Sequence, residues 1–241
     1  MIDQLKEYFS PYIQPIPSEQ VFIGTILFYV VFSLAFFMSD HSNIDFAANT
    51  IMFYNSWIIV VAVFLYLITA NVFCCVIIVS AFLSSSLAEI VLGTLYYPSR
   101  MFLSTYLHHI GYSLYAIIPL YFGTKLFSLG TLIGYIEITS IFQSIKRIWS
   151  MKHKGFDIIN AVVFFLIRIV MFVPFCIIQY LFCETSLEKC MCGIPCLCVV
   201  FHIIWSYTQF RNLIRRYFSG SVNESPTDVS ELYLTSNTLN S

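Results

Sequence analysis

The stretch Val162-Val163-Phe164-Phe165-Leu166-Ile167-Arg168-Ile169-Val170 decides how this chain folds. Eight of its nine residues are apolar, and it sits inside a longer run from about 157 to 182 with the same character. A membrane-spanning helix needs about 20 apolar residues, whereas a barrel strand needs about ten with alternating polarity. The unbroken run therefore reads as a helix in lipid, with one cation in its middle. Inserting such a charge costs roughly 2.5 to 3.5 kcal/mol, so Arg168 is expected to face a bundle interior rather than lipid.

Working outward, comparable runs occur at roughly 21 to 38, 50 to 69, 72 to 95, 107 to 124, 127 to 148 and 191 to 212, making seven expected spans. The second and third are separated only near Thr69, Ala70 and Asn71, so one of them is expected to be short or tilted. Composition agrees. Of 241 residues, 59% are hydrophobic and only 10% charged, with 24 Phe and 16 Tyr. A mean hydropathy of +0.81 leaves too few charges to cover a water-soluble surface. The expected fold is all-α, a multi-pass transmembrane bundle. A net charge of -1 with no basic arm gives no reason to expect nucleic acid.

Residues 1 to 20 carry Pro11, Pro15 and Pro17 and no basic cluster, so the first span, 21 to 38, is read as a retained anchor rather than a cleaved signal. Residues 217 to 241 are polar and read as a flexible tail. With seven crossings, eight of the 12 basic residues fall on one side and three on the other, Arg168 lying within the membrane. The tail is therefore expected to be cytoplasmic.

The ionisable residues inside spans are the candidate site. His108 and His109 are adjacent titratable rings at the start of the fourth span. Consecutive helical residues diverge by about 100°, so one ring can point inward while the other orients it. Glu89 lies beside Ser84, Ser85 and Ser86; Glu137 precedes Thr139, Ser140, Gln143 and Ser144. Asp157, Arg168 and Gln179 fall on one stripe, and Cys198, His202, Trp205 and Gln209 on another. Tyr112 and Tyr115 continue the His108 face. These stripes are expected to converge on an internal, lipid-sized chamber, with Pro119, Pro174 and Pro195 kinking their helices to make room. For Arg168 and Glu137, a structural ion pair, interhelical hydrogen bonds and ligand contact are all open readings; for Glu89 and His202 a structural role competes.

The eight cysteines do not have zinc-knuckle spacing, so no metal is expected. Cys183 and Cys190 bracket a short loop and are a candidate disulfide.

In order, these signals resemble the TLC domain, over about residues 45 to 216. Ser86 to Pro98, with Glu89 and Tyr97-Pro98, resembles the family's third-helix pattern; the His108-His109 pair follows about ten residues later. Glu137-Ile138-Thr139-Ser140 is similar to its Glu-x-Ser/Thr segment, Phe164 to Ile169 to its Phe-x-x-Arg helix, and Trp205 to Arg216 to its aromatic and basic close. The resemblance implies a six-helix core plus one N-terminal helix, in the endoplasmic reticulum or another endomembrane, with the plasma membrane an alternative. Ceramide synthases of the family carry aspartates after the His pair. Here Glu137 is the only acid between that pair and Asp157, and Glu89 stands at the usual aspartate position. The chain is thus more similar to the smaller TLC-domain-containing proteins.

Three functions follow from the resemblance. The first is lipid handling that sets phospholipid or sphingolipid composition, with Tyr112, Glu89, Glu137, Arg168 and His202 contacting membrane lipid. The second is acyl transfer with His108 or His109 as base or nucleophile, acyl-CoA being a substrate and no cofactor being needed. The third is a cargo receptor of the secretory pathway.

Overall fold

A computed structural model describes residues 2–38, 44–98, 101, 103–151 and 153–217. Arg100, Lys152 and the expected tail from residue 218 lie outside these. The described residues are helical, without a strand. In chain order the helices are α1 (Ile2–Phe9), α2 (Ser18–Met38), α3 (Ile44–Thr69), α4 (Val72–Tyr96), α5 (Leu103–Phe122), α6 (Leu126–Gly130), α7 (Glu137–Ile148), α8 (Lys154–Phe165), α9 (Phe172–Leu181) and α10 (Ser186–Tyr217). A 3-10 segment, Thr131–Ile136, joins α6 to α7, and a π-helical segment, Leu166–Met171, joins α8 to α9.

Among the described residues, six stretches are long and apolar enough to cross a membrane: α2, Phe46–Thr69, α4, Leu126–Ile148, Lys154–Leu181 and α10. The chain is a multi-pass membrane protein. The expected fourth span is α5, 20 residues long, whose two histidines keep it less apolar than the rest. At about 1.5 Å per residue it still has the length of the hydrocarbon core.

Contacts at the two ends of the bundle show that successive helices alternate in direction. At one end Arg147 donates to Asn49 (3.3 Å), and Asp157 pairs with Lys146 (2.6 Å) and Arg216 (2.9 Å). At the other, Tyr12 donates to the Leu67 carbonyl (2.7 Å), Ser128 to that of Tyr12 (2.5 Å), and Phe9 meets Phe182 edge-on at 5.9 Å. The segment 2–17 is thus more than a leader to the first span: α1 and the 3-10 turn Ser10–Tyr12 fold over this second end.

The break between the second and third spans is sharper than the apolar pattern foretells. Neither helix is short; α3 has 26 residues and α4 has 25. Ala70 takes a left-handed conformation (φ 49°) that turns the chain within two residues. Asn71 then caps α4, its side chain accepting from the Phe73 amide at 2.9 Å.

α2 packs on α4 through small residues while most of its surface stays open to lipid. Ser80 donates to the Val21 carbonyl (3.1 Å) and Ser84 to that of Thr25 (2.8 Å). A Cβ at Gly24 would lie 2.5 Å from Ser80 Oγ, so only glycine permits this approach. Gly24→Leu is therefore expected to detach α2 from α4. A cysteine pair engineered at this interface should cross-link in the parent and lose at least tenfold in yield in the variant.

Candidate functional site

Arg168 lies in the π-helical segment, six per cent exposed. The origin of that segment is local. Pro174 has no amide hydrogen, so the carbonyl one turn before it loses its usual partner, and the widened turn absorbs the mismatch. Opposite it runs the 3-10 stretch ahead of Glu137, and the two irregular segments touch. Together they set Arg168 against the first turn of α7.

The guanidinium is held unevenly. Its Nε donates to Thr139 Oγ1 at 2.7 Å, a firm bond. Among the described residues its two terminal nitrogens reach only Ser140 Oγ and His202 Nδ1, each at 3.4 Å, beyond the usual range for a strong N–H···O or N–H···N bond. The charge rests over the rings of Phe164 (4.9 Å) and Trp205 (5.9 Å). No carboxylate forms an ion pair with Arg168 among the described residues. Of the open readings for Arg168 and Glu137, the ion pair is absent there: Glu137 instead accepts from Ser56 of α3 at 2.8 Å.

His202, fully buried on α10, continues the network. Because arginine has no acceptor, His202 Nδ1 must accept, which leaves Nε2–H to donate to Tyr112 Oη at 3.4 Å. His108 meets Tyr112 (4.8 Å), Trp205 (5.2 Å) and His202 (6.4 Å) edge-on. Its Nδ1 is buried without a hydrogen-bond partner among the described residues. His109 diverges as the helical geometry requires, its Nε2 lying 2.7 Å from Glu89 Oε2 of α4.

Four of the seven expected site residues, His108, Tyr112, Arg168 and His202, therefore meet in one buried centre. Glu89 and His109 form a pair at its α4 side, and Glu137 turns toward α3. The first stripe is buried along its length, the second only at Cys198 and His202, with Trp205 and Gln209 half-buried, and the first divides its work. Asp157 serves the ion-pair cluster at one end, and Gln179 donates to Tyr115 (2.6 Å) at the other. Thr139, Ser140 and Trp205 complete the centre. The polar run after Glu137 pointed to the first two; Phe164 and Phe172, which wall it, looked like any other apolar residue.

The convergence is partial, and the lipid-sized chamber is not what lies there. Tyr112, Phe164, Phe172 and His202 are each at most two per cent exposed and fill the space that splayed helices would leave. A small cavity of about 20 Å3 lies elsewhere, against Tyr115, Pro119, Gln179 and Cys192. It has room for water, not for a lipid. The expected Cys183–Cys190 pairing is also corrected. α10 begins at Ser186, which puts Cys190 on its exposed face, and the sulfur facing Cys183 is that of Cys192, at 3.2 Å. No cluster of His, Cys, Asp and Glu suited to a metal occurs among the described residues.

Fold and site define a multi-pass helical membrane protein with a buried cationic centre. No protein-family model matches the sequence, and no curated protein or solved structure matches it either.

Proposed function

We propose that this protein binds the acidic group of a membrane lipid, a phosphate or a carboxylate, at Arg168, and so influences phospholipid or sphingolipid composition. The carrying observation is the uneven hold on the guanidinium: Nε fixed by Thr139 at 2.7 Å, the two terminal nitrogens engaged only at 3.4 Å. Those nitrogens form the fork that grips phosphate or carboxylate with two parallel bonds. A cation in a low-dielectric interior whose hydrogen-bond partners are neutral gains from an anionic ligand. His108 Nδ1, buried and unpartnered, offers one more polar contact.

Access runs along the seam of α5 and α10, where His108 and Trp205 are half-buried in front of Arg168 and His202. Binding requires these side chains to move apart, since the centre is packed. The five-part resemblance to TLC domains supports the lipid reading and an endomembrane location, and the uneven distribution of basic residues supports a cytoplasmic C-terminus. Extraction and mass spectrometry of lipid retained by the purified protein tests it. A stoichiometric acidic lipid is expected; retention of zwitterionic lipid alone overturns the reading.

The Glu89–His109 contact favours a second reading, acyl transfer. A carboxylate at 2.7 Å orients the ring for proton transfer. The pair would take the proton of an amine or hydroxyl acceptor as that atom bonds to the acyl carbon. The C–S bond of acyl-CoA breaks, and the proton leaves on the CoA thiol. Turnover lost in both His108→Ala and His109→Ala would establish this reading; no turnover on amine and lysolipid acceptors would dismiss it.

A further inference from the structure

We propose that Cys183 and Cys192 form a disulfide that clamps the end of α9 to the first turns of α10. The inference is independent of the lipid reading. Their sulfurs stand 3.2 Å apart, so a bond of about 2.05 Å requires a closure of only about 1.2 Å. Both side chains are buried, at nine and three per cent exposure, and neither has a competing sulfur at this distance.

The segment between them holds the two thiols in place. Thr185 Oγ1 accepts from the Glu188 amide (3.2 Å), while Glu188 Oε2 accepts from the amides of Thr185 (3.0 Å) and Glu184 (2.9 Å). This reciprocal cap fixes the start of α10 relative to Cys183. Cys192 then lies inward, two residues and some 200° around the helix from the exposed Cys190. A cavity of about 20 Å3, with room for a water, lies against Cys192, Gln179 and Tyr115. The positive-residue asymmetry puts this loop on the side opposite the basic cluster, which in the secretory pathway is the oxidising one.

The chemistry is thiol–disulfide exchange with a disulfide donor such as oxidised glutathione. The Cys183 thiolate attacks one donor sulfur, breaking the donor S–S bond and releasing one thiol. The Cys192 thiolate then attacks Cys183 Sγ in the mixed disulfide and releases the second. Two cysteine thiols lose two electrons, the donor gains them, and the two protons end on the released thiols. Burial pushes the Cys183 thiol above its ordinary value, so little thiolate is present at neutral pH and the exchange is faster in mild alkali.

The test uses the full-length protein in detergent micelles, treated with oxidised glutathione in mild alkali, alkylated, denatured and digested. Mass spectrometry should find most of the protein with a Cys183–Cys192 cross-linked peptide, two hydrogens lighter than its parts. Cys190→Ser should leave it intact, whereas Cys183→Ser and Cys192→Ser should each abolish it. Free, alkylatable Cys183 and Cys192 in the oxidised wild-type protein, or a Cys183–Cys190 peptide, would overturn the proposal. Because the wild-type chain carries the decisive reading, a variant that fails to fold does not obscure it.

Discussion

Arg168→Gln is expected to reduce the acidic lipid retained by the purified protein by at least tenfold, while leaving the helical bundle assembled. A charge-assisted hydrogen bond contributes about 1.5–3 kcal/mol, and each 1.4 kcal/mol is a factor of ten in affinity. Loss of the fork removes two such bonds. Glutamine keeps a donor where Nε meets Thr139, while the guanidinium carbon and terminal nitrogens that rest over Phe164 and Trp205 are removed. In the lipid-free protein the substitution should cost little stability, because removing a buried charge that has no ion-pair partner among the described residues offsets the lost contacts with the Phe164 and Trp205 rings. Arg168→Lys should not restore binding. One ammonium cannot hold Thr139 at the position of Nε and also present two parallel donors. The opposite pattern, a large loss of stability with lipid retention unchanged, would assign Arg168 a purely structural role. Quantitative lipid extraction beside a thermal melt separates the two.

Asp157→Ala is expected to give the largest loss of stability among single substitutions outside the apolar core. The carboxylate, five per cent exposed, receives Lys146 Nζ at 2.6 Å, Arg216 Nη1 at 2.9 Å and Tyr217 Oη at 2.7 Å. It thereby joins α7, α8 and α10 at one end of the bundle. Removing one partner of a fully buried ion pair costs about 3–5 kcal/mol. Lys146 and Arg216 are partly solvated, at 32% and 44% side-chain exposure, which reduces the loss to about 2 kcal/mol. For a chain of this length that is a fall of roughly 4–8 °C in melting midpoint. Asp157→Asn, which keeps hydrogen-bonding capacity without the charge, should lose less. A midpoint unchanged in Asp157→Ala would mean that the three helices are held by their apolar contacts alone.

The apolar runs read directly as helices, because length and unbroken hydropathy leave few alternatives in lipid. Arg168, His202, Tyr112 and His108 were legible as members of one centre because helical spacing fixes which residues share a face. What lay beyond spacing was the register between helices. Nothing in the sequence said that Glu89 would stand beside His109 while Glu137 turned to Ser56, since that depends on how α4 and α3 slide against α5 and α7. The filled centre was hidden for a related reason: Phe164 and Phe172 are two among 24 phenylalanines, and only packing distinguishes a wall residue from a lipid-facing one. Pro174 did mark the helix irregularity, although a proline alone does not say whether a kink or a π turn will absorb it. The short break at Thr69 to Asn71 misled because apolar continuity hides a turn that one left-handed residue, Ala70, is enough to make. Thr185 and Glu188 carried a readable capping box, and with it the start of α10 that puts Cys192, not Cys190, beside Cys183.

Photo-cross-linking of an acidic phospholipid, with the reactive group close to its phosphate, tests the lipid site most directly. After digestion and mass spectrometry, label is expected on peptides of α5, the π-helical segment and α10 that contain His108, Arg168 and Trp205, and Arg168→Gln should abolish it. Label confined to outward residues such as Phe22, Ile26 and Leu34 of α2, with those three peptides unmodified, would contradict the proposed site.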